Sequence, residues 1–272
     1  MPPVQWPGNA RCAVMLSFDL DAETLMLYRD PASAAKPVLL SMARYGPKSA
    51  VPEIIDLLGR FGLKATFFIP GWVIEHHPEA VRLIVRAGHE VGAHGYLHER
   101  PDTLSRDEED AILGRSVAVI RDATGRPPAG FRSPAWEFSP STLELLEKHG
   151  FVYSSNMMDS IYPYYHRRPD GTPSLVELPV HWELDDAPFF LFLPGQQRPM
   201  APTGAIFDTW RQEFAAYYRR GGLFVLTLHP QLQRPARLDM LGRLIQYIRE
   251  FPGVWFATGE EIAAYFRSAV KD

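Results

Sequence analysis

Short apolar runs alternate with longer amphipathic segments along almost the whole chain. The apolar runs predict buried strands at residues 13–18, 64–70, 90–93, 130–133, 152–155, 175–180, 223–228 and 254–257. The amphipathic segments predict helices at residues 51–61, 78–87, 105–125, 140–149, 209–219, 238–251 and 260–267. Seven or eight β/α units favour an α/β fold built as a (β/α) barrel, distorted or incompletely closed, with residues 1–272 as a single domain.

Two of these strands end in side chains that bind metals. Asp19 and Asp21 follow the first strand, and His94 and His98 follow the third. Because the carboxyl ends of parallel strands meet at one edge of the fold, we expect these groups to lie together. The set of Asp21, His94 and His98 suits zinc or another first-row metal and leaves coordination positions open. Asp19 is then a spare carboxylate that can accept a proton from bound water.

Neither fragment is decisive alone, because histidines four residues apart also occur on exposed helices and Asp-x-Asp also occurs in loops. Two further strand ends favour a catalytic site. Arg132 ends one strand, where it could orient Asp19, hold a substrate oxygen or form a salt bridge at the barrel rim. His229 ends another and suits a general acid for a leaving amine, although a histidine before proline is also common in turns.

Composition and charge narrow the function classes. With 272 residues, 46% of them hydrophobic and 22% charged, the chain is typical of a globular protein. A net charge of −4 and a pI near 6.1 give no electrostatic basis for binding nucleic acid or an anionic membrane. The single cysteine, Cys12, excludes an intramolecular disulfide and a thiolate cluster. The sequence shows no export signal or membrane-length apolar run, so we expect a cytoplasmic location.

Four ordered motifs resemble those of the polysaccharide deacetylase family, the NodB-like hydrolases of carbohydrate esterase family 4. They are Ser17-Phe-Asp-Leu-Asp21, His94-Gly-Tyr-Leu-His98, Arg132-Ser-Pro134 and Leu226-Thr-Leu-His-Pro230, supported by residues 64–71 and 88–92. The resemblance implies a deformed (β/α)7-type barrel. It implies Asp19 as catalytic base, Arg132 as its partner and His229 as catalytic acid. It also implies that Asp21, His94 and His98 hold a divalent metal, zinc in the first place.

The first motif departs from that of the secreted members of this family, in which the two acids are adjacent. Here Leu20 separates Asp19 from Asp21, and Ala22-Glu23 follows. This form resembles an intracellular branch that contains peptidoglycan deacetylase-like and cyclic imide hydrolase-like enzymes. Glu23 is therefore a candidate substrate-binding residue, with a solvated carboxylate at the rim as the alternative.

Three aromatic residues are further candidates for substrate binding, namely Tyr96, Trp136 and Trp182, with packing as the alternative for the two tryptophans. Residues 24–49 are long for a βα connection, which usually has about 2 to 6 residues. They predict a loop over the site whose apolar side chains could enclose a small pocket and exclude a polymer. These side chains are Leu25, Met26, Leu27, Tyr28 and Tyr45.

Two further segments, one polar and one aromatic, are not predicted to take part in catalysis. His76, His77 and Glu79 are interpreted as a solvated helix start before and after Pro78. The aromatic residues 156–165 could stack on a sugar, fill core or form a subunit contact, so a homo-oligomer is compatible with the sequence.

The predicted reaction is metal-dependent hydrolysis of a non-peptide C–N bond in an amide. De-N-acetylation of a glycan and allantoinase-like opening of a cyclic imide or ureide need the same bond chemistry. The family resemblance favours the first, and an unexported enzyme favours a small soluble substrate. The expected partner is a small molecule or an N-acetylated sugar, with no nucleic acid and no membrane. An Fe(II) oxygenase and a non-catalytic sugar-binding protein remain alternatives from other classes.

Overall fold

The computed structural model describes residues 4–193 and 199–270. Its strands are β1 Cys12–Asp19, β2 Thr66–Ile69, β3 Glu90–Ala93, β4 Gly130–Phe131, β5 Tyr153–Ser154, β6 Tyr164–Arg167, β7 Pro173–Glu177, β8 Leu223–Leu228 and β9 Val254–Phe256. Its α-helices are α1 Thr24–Arg29, α2 Pro37–Tyr45, α3 Val51–Arg60, α4 Gly71–His76, α5 Pro78–Arg86, α6 Arg106–Thr124, α7 Thr142–Lys148, α8 Ala187–Phe190, α9 Thr203–Arg220, α10 Pro235–Arg249 and α11 Gly259–Ala269. Over the described ranges, no helix combines the length and apolar character needed to span a membrane.

The strands form one curled sheet in the order β6-β7-β5-β4-β3-β2-β1-β8, with β9 beside the start of β1. All pairs are parallel except the β6–β7 hairpin. Every residue of β1 is buried, because helices and the curl of the sheet cover both of its faces. Polar side chains of the sheet are therefore accessible at the strand ends rather than on a face.

Register sets which strand ends are neighbours. Phe18 pairs with Leu228, so Asp19 and His229 follow at the same level. Ala93 pairs with Phe131, so His94 and Arg132 also follow side by side. The predicted convergence of these strand ends is thus a consequence of the parallel ladder.

The barrel is closed by single contacts instead of a continuous ladder. The backbone N–H of Leu223 in β8 donates to the carbonyl of Ile161 at 2.9 Å. Nearer the carboxyl end, Asp185 forms an isolated parallel bridge with Thr227. This agrees with the distorted, incompletely closed (β/α) architecture predicted from the sequence.

The prediction of a loop over residues 24–49 was wrong, because most of this segment is helical. It contains α1, a 3-10 helix at Pro31–Ala35, α2 and a π-helical turn at Gly46–Ala50 that leads into α3. Pro31 and Pro37 each lie in the first turn of their helix, where a missing N–H costs no hydrogen bond. The prolines thus mark helix starts, although their spacing is also typical of loops.

Other differences concern element boundaries. Helix α9 begins at Thr203 rather than at residue 209, and α4 and β6 were not predicted. His76 closes α4, so the residues before Pro78 end one helix as well as preceding the next. Strand β6 escaped prediction because it is a half-buried edge strand with only one antiparallel partner.

Gly130 in β4 allows the closest packing in the sheet interior. A Cβ at this position would lie 2.0 Å from Cζ of Tyr153. The Tyr153 ring is fully buried and its hydroxyl donates to Glu90 at 2.8 Å, so it has little freedom to move away. We expect Gly130→Ala to lower the free energy of unfolding by about 1 to 3 kcal/mol, as overpacked cores do.

Urea denaturation tests this expectation against Gly204→Ala. Gly204 lies in α9 with no atom near its virtual Cβ, so alanine there should be neutral or slightly stabilising. Equal stability of Gly130→Ala and the parent chain would contradict the packing described for Tyr153.

Candidate active site

A cavity of about 640 Å³ opens at the carboxyl edge of the sheet. Most of the side chains that the sequence singled out line this cavity. They are Asp19, Asp21, His94, His98, Trp136, Trp182 and His229.

Asp21, His94 and His98 form a compact donor set. Each offers one ligand atom, and these atoms lie within 4.8 Å of one another. Oδ1 of Asp21 is 3.4 Å from Nε2 of His94 and 3.8 Å from Nε2 of His98. This oxygen is buried and accepts no hydrogen bond from the described residues. An orphaned carboxylate oxygen facing two imidazole nitrogens fits a cation.

Neighbouring groups hold two of these ligands in the required form. Nδ1 of His94 donates to the carbonyl of Arg132 at 2.7 Å, which leaves Nε2 with its lone pair toward Asp21. The side-chain amide of Gln231 donates to Oδ2 of Asp21 at 3.2 Å and so leaves Oδ1 free. Burial lowers the pKa of His98 to about 4, so its imidazole is neutral near pH 7 and can bind a metal.

Backbone strain is concentrated beside the cavity. His98 has φ of 64°, and Ala22, next to Asp21, has φ of 46°. Ala135 and Trp136 are consecutive left-handed residues with φ of 58° and 57°. Side chains with a Cβ rarely adopt this region, and such conformations cluster at functional sites.

Arg132 lies against Asp19 in the interior. Its Nη1 donates to Oδ1 of Asp19 at 2.8 Å and to the Ser17 hydroxyl at 2.8 Å. Its Nη2 and Nε donate to the hydroxyl and carbonyl of Ser155 at 2.9 and 3.3 Å. Arg132 is fully buried, so this is an internal ion pair and not a rim salt bridge. The pair fixes one oxygen of Asp19 while the carboxylate lines the cavity.

His229 is held by two acids that sequence reasoning missed. Its Nδ1 donates to Oδ1 of Asp186 at 2.7 Å and lies 3.4 Å from Asp185. The backbone N–H of His229 donates to Asp186 at 3.0 Å, and Gln233 also donates to Asp186. Nε2 therefore points away, toward Asp21 at 3.7 Å. The sequence signal was the pair of consecutive acids after Leu184, with no apolar strand before it to mark a strand end.

The charge of His229 follows from these contacts. Burial lowers its pKa, but the carboxylates of Asp185, Asp186 and Asp21 outweigh burial and hold the pKa well above its usual value. Asp185, Asp186 and His229 also satisfy the spacing of a metal set. Unlike Asp21, however, Asp186 already accepts hydrogen bonds on both oxygens, so it has no orphaned atom for a cation.

Trp136 and Trp182 lie on one wall of the cavity. Their rings stack with centroids 4.3 Å apart and planes inclined by 27°. Trp136 is buried, whereas Trp182 remains 45% exposed at the opening. The exposed ring offers an apolar surface on which a substrate ring could stack.

Glu23 and Tyr96, the two other candidates for substrate binding, do not line the cavity. Glu23 accepts from Arg44 at 2.8 Å and pairs with His77 at 2.7 Å, which ties α1 to α2 and to the α4–α5 junction. Its pKa is lowered because these two hydrogen bonds outweigh burial. His77 therefore precedes the first residue of α5, as predicted, but its side chain is bonded to Glu23 rather than solvated.

The Tyr96 side chain makes its contacts on the outer side of the fold. Its hydroxyl donates to Glu75 at 2.6 Å, and the guanidinium carbon of Arg115 lies 3.4 Å from its ring centroid. Among the apolar residues of the 24–49 segment, Leu25 and Tyr28 do line the cavity. Met26 is instead packed into the protein, and Leu27 and Tyr45 do not line the cavity.

Comparison with known proteins decides the family. The polysaccharide deacetylase family model matches residues 33–154, which include His94, His98 and Arg132. The peptidoglycan deacetylase of Helicobacter pylori is 36% identical over 255 residues, covering 84% of this chain and 87% of that protein. The chain belongs to the polysaccharide deacetylase family. This family hydrolyses N-acetyl amide bonds, so the chain is a hydrolase of non-peptide C–N bonds.

Solved structures extend the similarity over the whole fold. A Mycobacterium smegmatis protein assigned to the polysaccharide deacetylases is 40% identical with a TM-score of 0.95, covering 98% of this chain and 94% of that one. Puue allantoinase is 25% identical with a TM-score of 0.85, again covering 98% and 94% of the two chains. The predicted NodB-like deformed barrel is thereby confirmed.

Proposed function

We propose that this polysaccharide deacetylase family member is a metal-dependent amide hydrolase in which Asp21, His94 and His98 hold a divalent ion. The observation that carries the proposal is the orphaned Oδ1 of Asp21, which faces two imidazole nitrogens in a cavity that also contains Asp19 and His229. Two imidazoles and one carboxylate favour zinc and leave positions for water and substrate.

A divalent ion bound there supplies Lewis acidity, which polarises the amide carbonyl and lowers the pKa of water. Asp19 accepts the proton of the attacking water. Arg132 donates to Oδ1 of Asp19 and fixes the carboxylate, which leaves Oδ2 for this proton. His229 donates a proton from Nε2 to the departing nitrogen, because Asp186 holds Nδ1. The base and the acid thus act from separate strand ends of one cavity.

The size of the cavity favours a small substrate. About 640 Å³ lies within the range of small-molecule sites. Helix α1 lines one side of the opening with Leu25 and Tyr28, and Trp136 and Trp182 line another. We therefore propose removal of the acetyl group from an N-acetylated sugar of one or a few rings.

Ring opening of a cyclic imide or ureide is the second candidate. Its support is the similarity to Puue allantoinase over 98% of this chain, together with the small size of the cavity. Both reactions cleave a C–N bond at a carbonyl and would use the same base and acid.

A substrate panel tests the proposal and separates the two candidates. Zinc-loaded and chelated protein would be incubated with N-acetylglucosamine oligomers, succinimide, hydantoin and allantoin. Chelator-sensitive release of acetate is the expected result. Chelator-sensitive ring opening without acetate would establish the second candidate. Turnover that survives complete chelation would overturn the metal-dependent mechanism.

Replacement of Asp186 should change the pH dependence of turnover. A carboxylate beside His229 favours the imidazolium, so Asp186→Asn should lower the pKa of His229. The acid form would then be lost at lower pH, and the alkaline limb of the kcat profile should move to lower pH. The measurement is kcat against pH for both proteins.

The chain offers a matched control for this variant. Asp110 and His149 form another carboxylate–histidine pair at 2.7 Å, away from the cavity. Asp110→Asn should leave the profile unchanged. A shift of the alkaline limb to higher pH in Asp186→Asn would contradict the assigned role of His229.

A further inference from the structure

One cation at the rim of the cavity has no ion-pair partner among the residues that the structure describes. Arg29, the last residue of α1, lines the cavity and is exposed. Within residues 4–193 and 199–270, no carboxylate forms an ion pair with it. An arginine at a cavity opening with its five N–H donors unused by protein acids can recognise an anion.

The nearest acid along the chain does not neutralise Arg29. Asp30 accepts from the backbone N–H of Ala32 at 3.0 Å and from Lys36 at 2.8 Å. It caps the 3-10 helix that follows α1. Its carboxylate therefore already accepts hydrogen bonds from the turn that follows α1.

The acids inside the cavity are also committed. Asp19 pairs with Arg132 at 2.8 Å, and Asp21 faces the imidazoles of His94 and His98. Asp185, the remaining acid in the wall, accepts from the Ala187 N–H at 2.8 Å beside His229. The positive charge of Arg29 is thus available to a ligand.

A second arginine lines the same cavity. Arg100 donates from Nε and Nη2 to Asp102 at 3.0 and 2.6 Å. Its Nη1 donates to no other group in the described part of the chain, and Arg100 also lines the cavity. The Tyr28 hydroxyl bonds to Thr103 at 2.9 Å, and Thr103 donates to the carbonyl of Arg100 at 2.8 Å. This chain of hydrogen bonds joins the helix that carries Arg29 to the turn that carries Arg100.

We propose that Arg29, assisted by Arg100, binds a carboxylate of the substrate. The preferred substrate is then a small amide that carries a carboxylate apart from the bond that is cleaved, such as an acidic N-acetylated sugar. Charge-assisted, paired N–H···O bonds provide the selectivity over the neutral analogue. The catalytic half of this inference rests on the proposed function, whereas the binding half concerns only the rim.

Matched substrates and matched variants test it. N-acetylmuramic acid is compared with N-acetylglucosamine, and hydantoin-5-acetic acid with hydantoin, because each pair differs in a carboxylate-bearing substituent. Arg29→Gln should lower kcat/KM for the acidic member by about tenfold relative to the neutral one, as expected for one lost charged hydrogen bond. Arg29→Lys should lose less, because it keeps the charge without the planar fork.

Arg219→Gln is the control. Arg219 is also exposed in the last turn of a helix, so it matches any effect of charge on the helix dipole, but it lies outside the cavity. It should leave every ratio unchanged. Equal effects of Arg29→Gln on acidic and neutral substrates would overturn the inference, as would no effect on the acidic ones.

Calorimetric binding of the same four compounds separates this inference from the proposed function. If the zinc-loaded parent chain hydrolyses none of them, the proposed function fails for these substrates. Tighter binding of the acidic members that disappears in Arg29→Gln would still support the rim site. Equal binding of acidic and neutral members by the parent chain would overturn it.

Discussion

Asparagine at position 19 is expected to lower kcat by about a thousandfold while leaving zinc affinity within about a factor of three, as loss of a general base does. The amide oxygen of asparagine can still accept from Arg132, which donates to Asp19 at 2.8 Å in the parent chain. It cannot take a proton from water. Because Asp19 is separate from the three proposed ligands, metal binding should persist.

The experiment needs a check on folding, because Arg132 is fully buried and loses its charged partner. Removing one member of a buried pair costs about 3 to 5 kcal/mol in comparable cases. Thermal unfolding and zinc stoichiometry should therefore be measured beside kcat, at a temperature where the variant is folded. Asp208→Asn, which removes an acid from a surface pair with Arg211, is the control. A folded, zinc-loaded Asp19→Asn protein with more than about a tenth of the parent kcat would contradict the assignment of the base.

His229→Gln should have the second large effect, and its size should depend on the leaving group. Loss of a general acid costs about 10² to 10⁴ in rate when the departing nitrogen must be protonated. An activated ester such as p-nitrophenyl acetate needs no such proton. We therefore expect a large fall in kcat for the amide and a much smaller fall for the ester.

Crossing the two variants with the two substrates separates the roles. Asp19→Asn should slow both substrates, since both need an activated water, whereas His229→Gln should slow mainly the amide. His149→Gln is the matched control, because His149 also pairs with an aspartate but lies outside the cavity. Equal losses on amide and ester for His229→Gln would show that the residue does not act as an acid toward the leaving group.

The sequence predicted best those features that the parallel ladder determines. The chemistry-bearing residues Asp19, His94, Arg132 and His229 each follow an apolar run, and the register brings those strand ends to one edge. The apolar runs and the residues that follow them were sufficient to predict this arrangement, because a buried parallel strand is a continuous apolar run in the sequence.

The conformation of residues 24–49 was harder to predict from sequence. Residues 24–50 contain short helices that begin with prolines, and proline is typical of both a loop and the first turn of a helix. Short helices gain most of their stability from packing, which is absent from a local pattern. The contacts of Leu25 and Tyr28 with the cavity were predicted, but the conformation that produces them was not.

Contacts between distant segments set the remaining differences. Asp186 lies 43 residues before His229, and the isolated bridge of Asp185 with Thr227 helps to bring the two together. Glu23 was a sound candidate by sequence position, yet Arg44 and His77 bind both of its oxygens. The roles of these side chains therefore depend on contacts with residues that are distant in the sequence.

A zinc titration of the chelated protein, with amide hydrolysis measured at each addition, tests whether Asp21, His94 and His98 hold one catalytic metal ion. Turnover is expected to rise in proportion to zinc and to reach its maximum at one equivalent per chain, and His98→Ala should abolish this response. Full turnover without metal would contradict the metal-dependent mechanism. So would a requirement for a second equivalent, because that ion would occupy the cluster of Asp185, Asp186 and His229 and remove His229 from its role as acid.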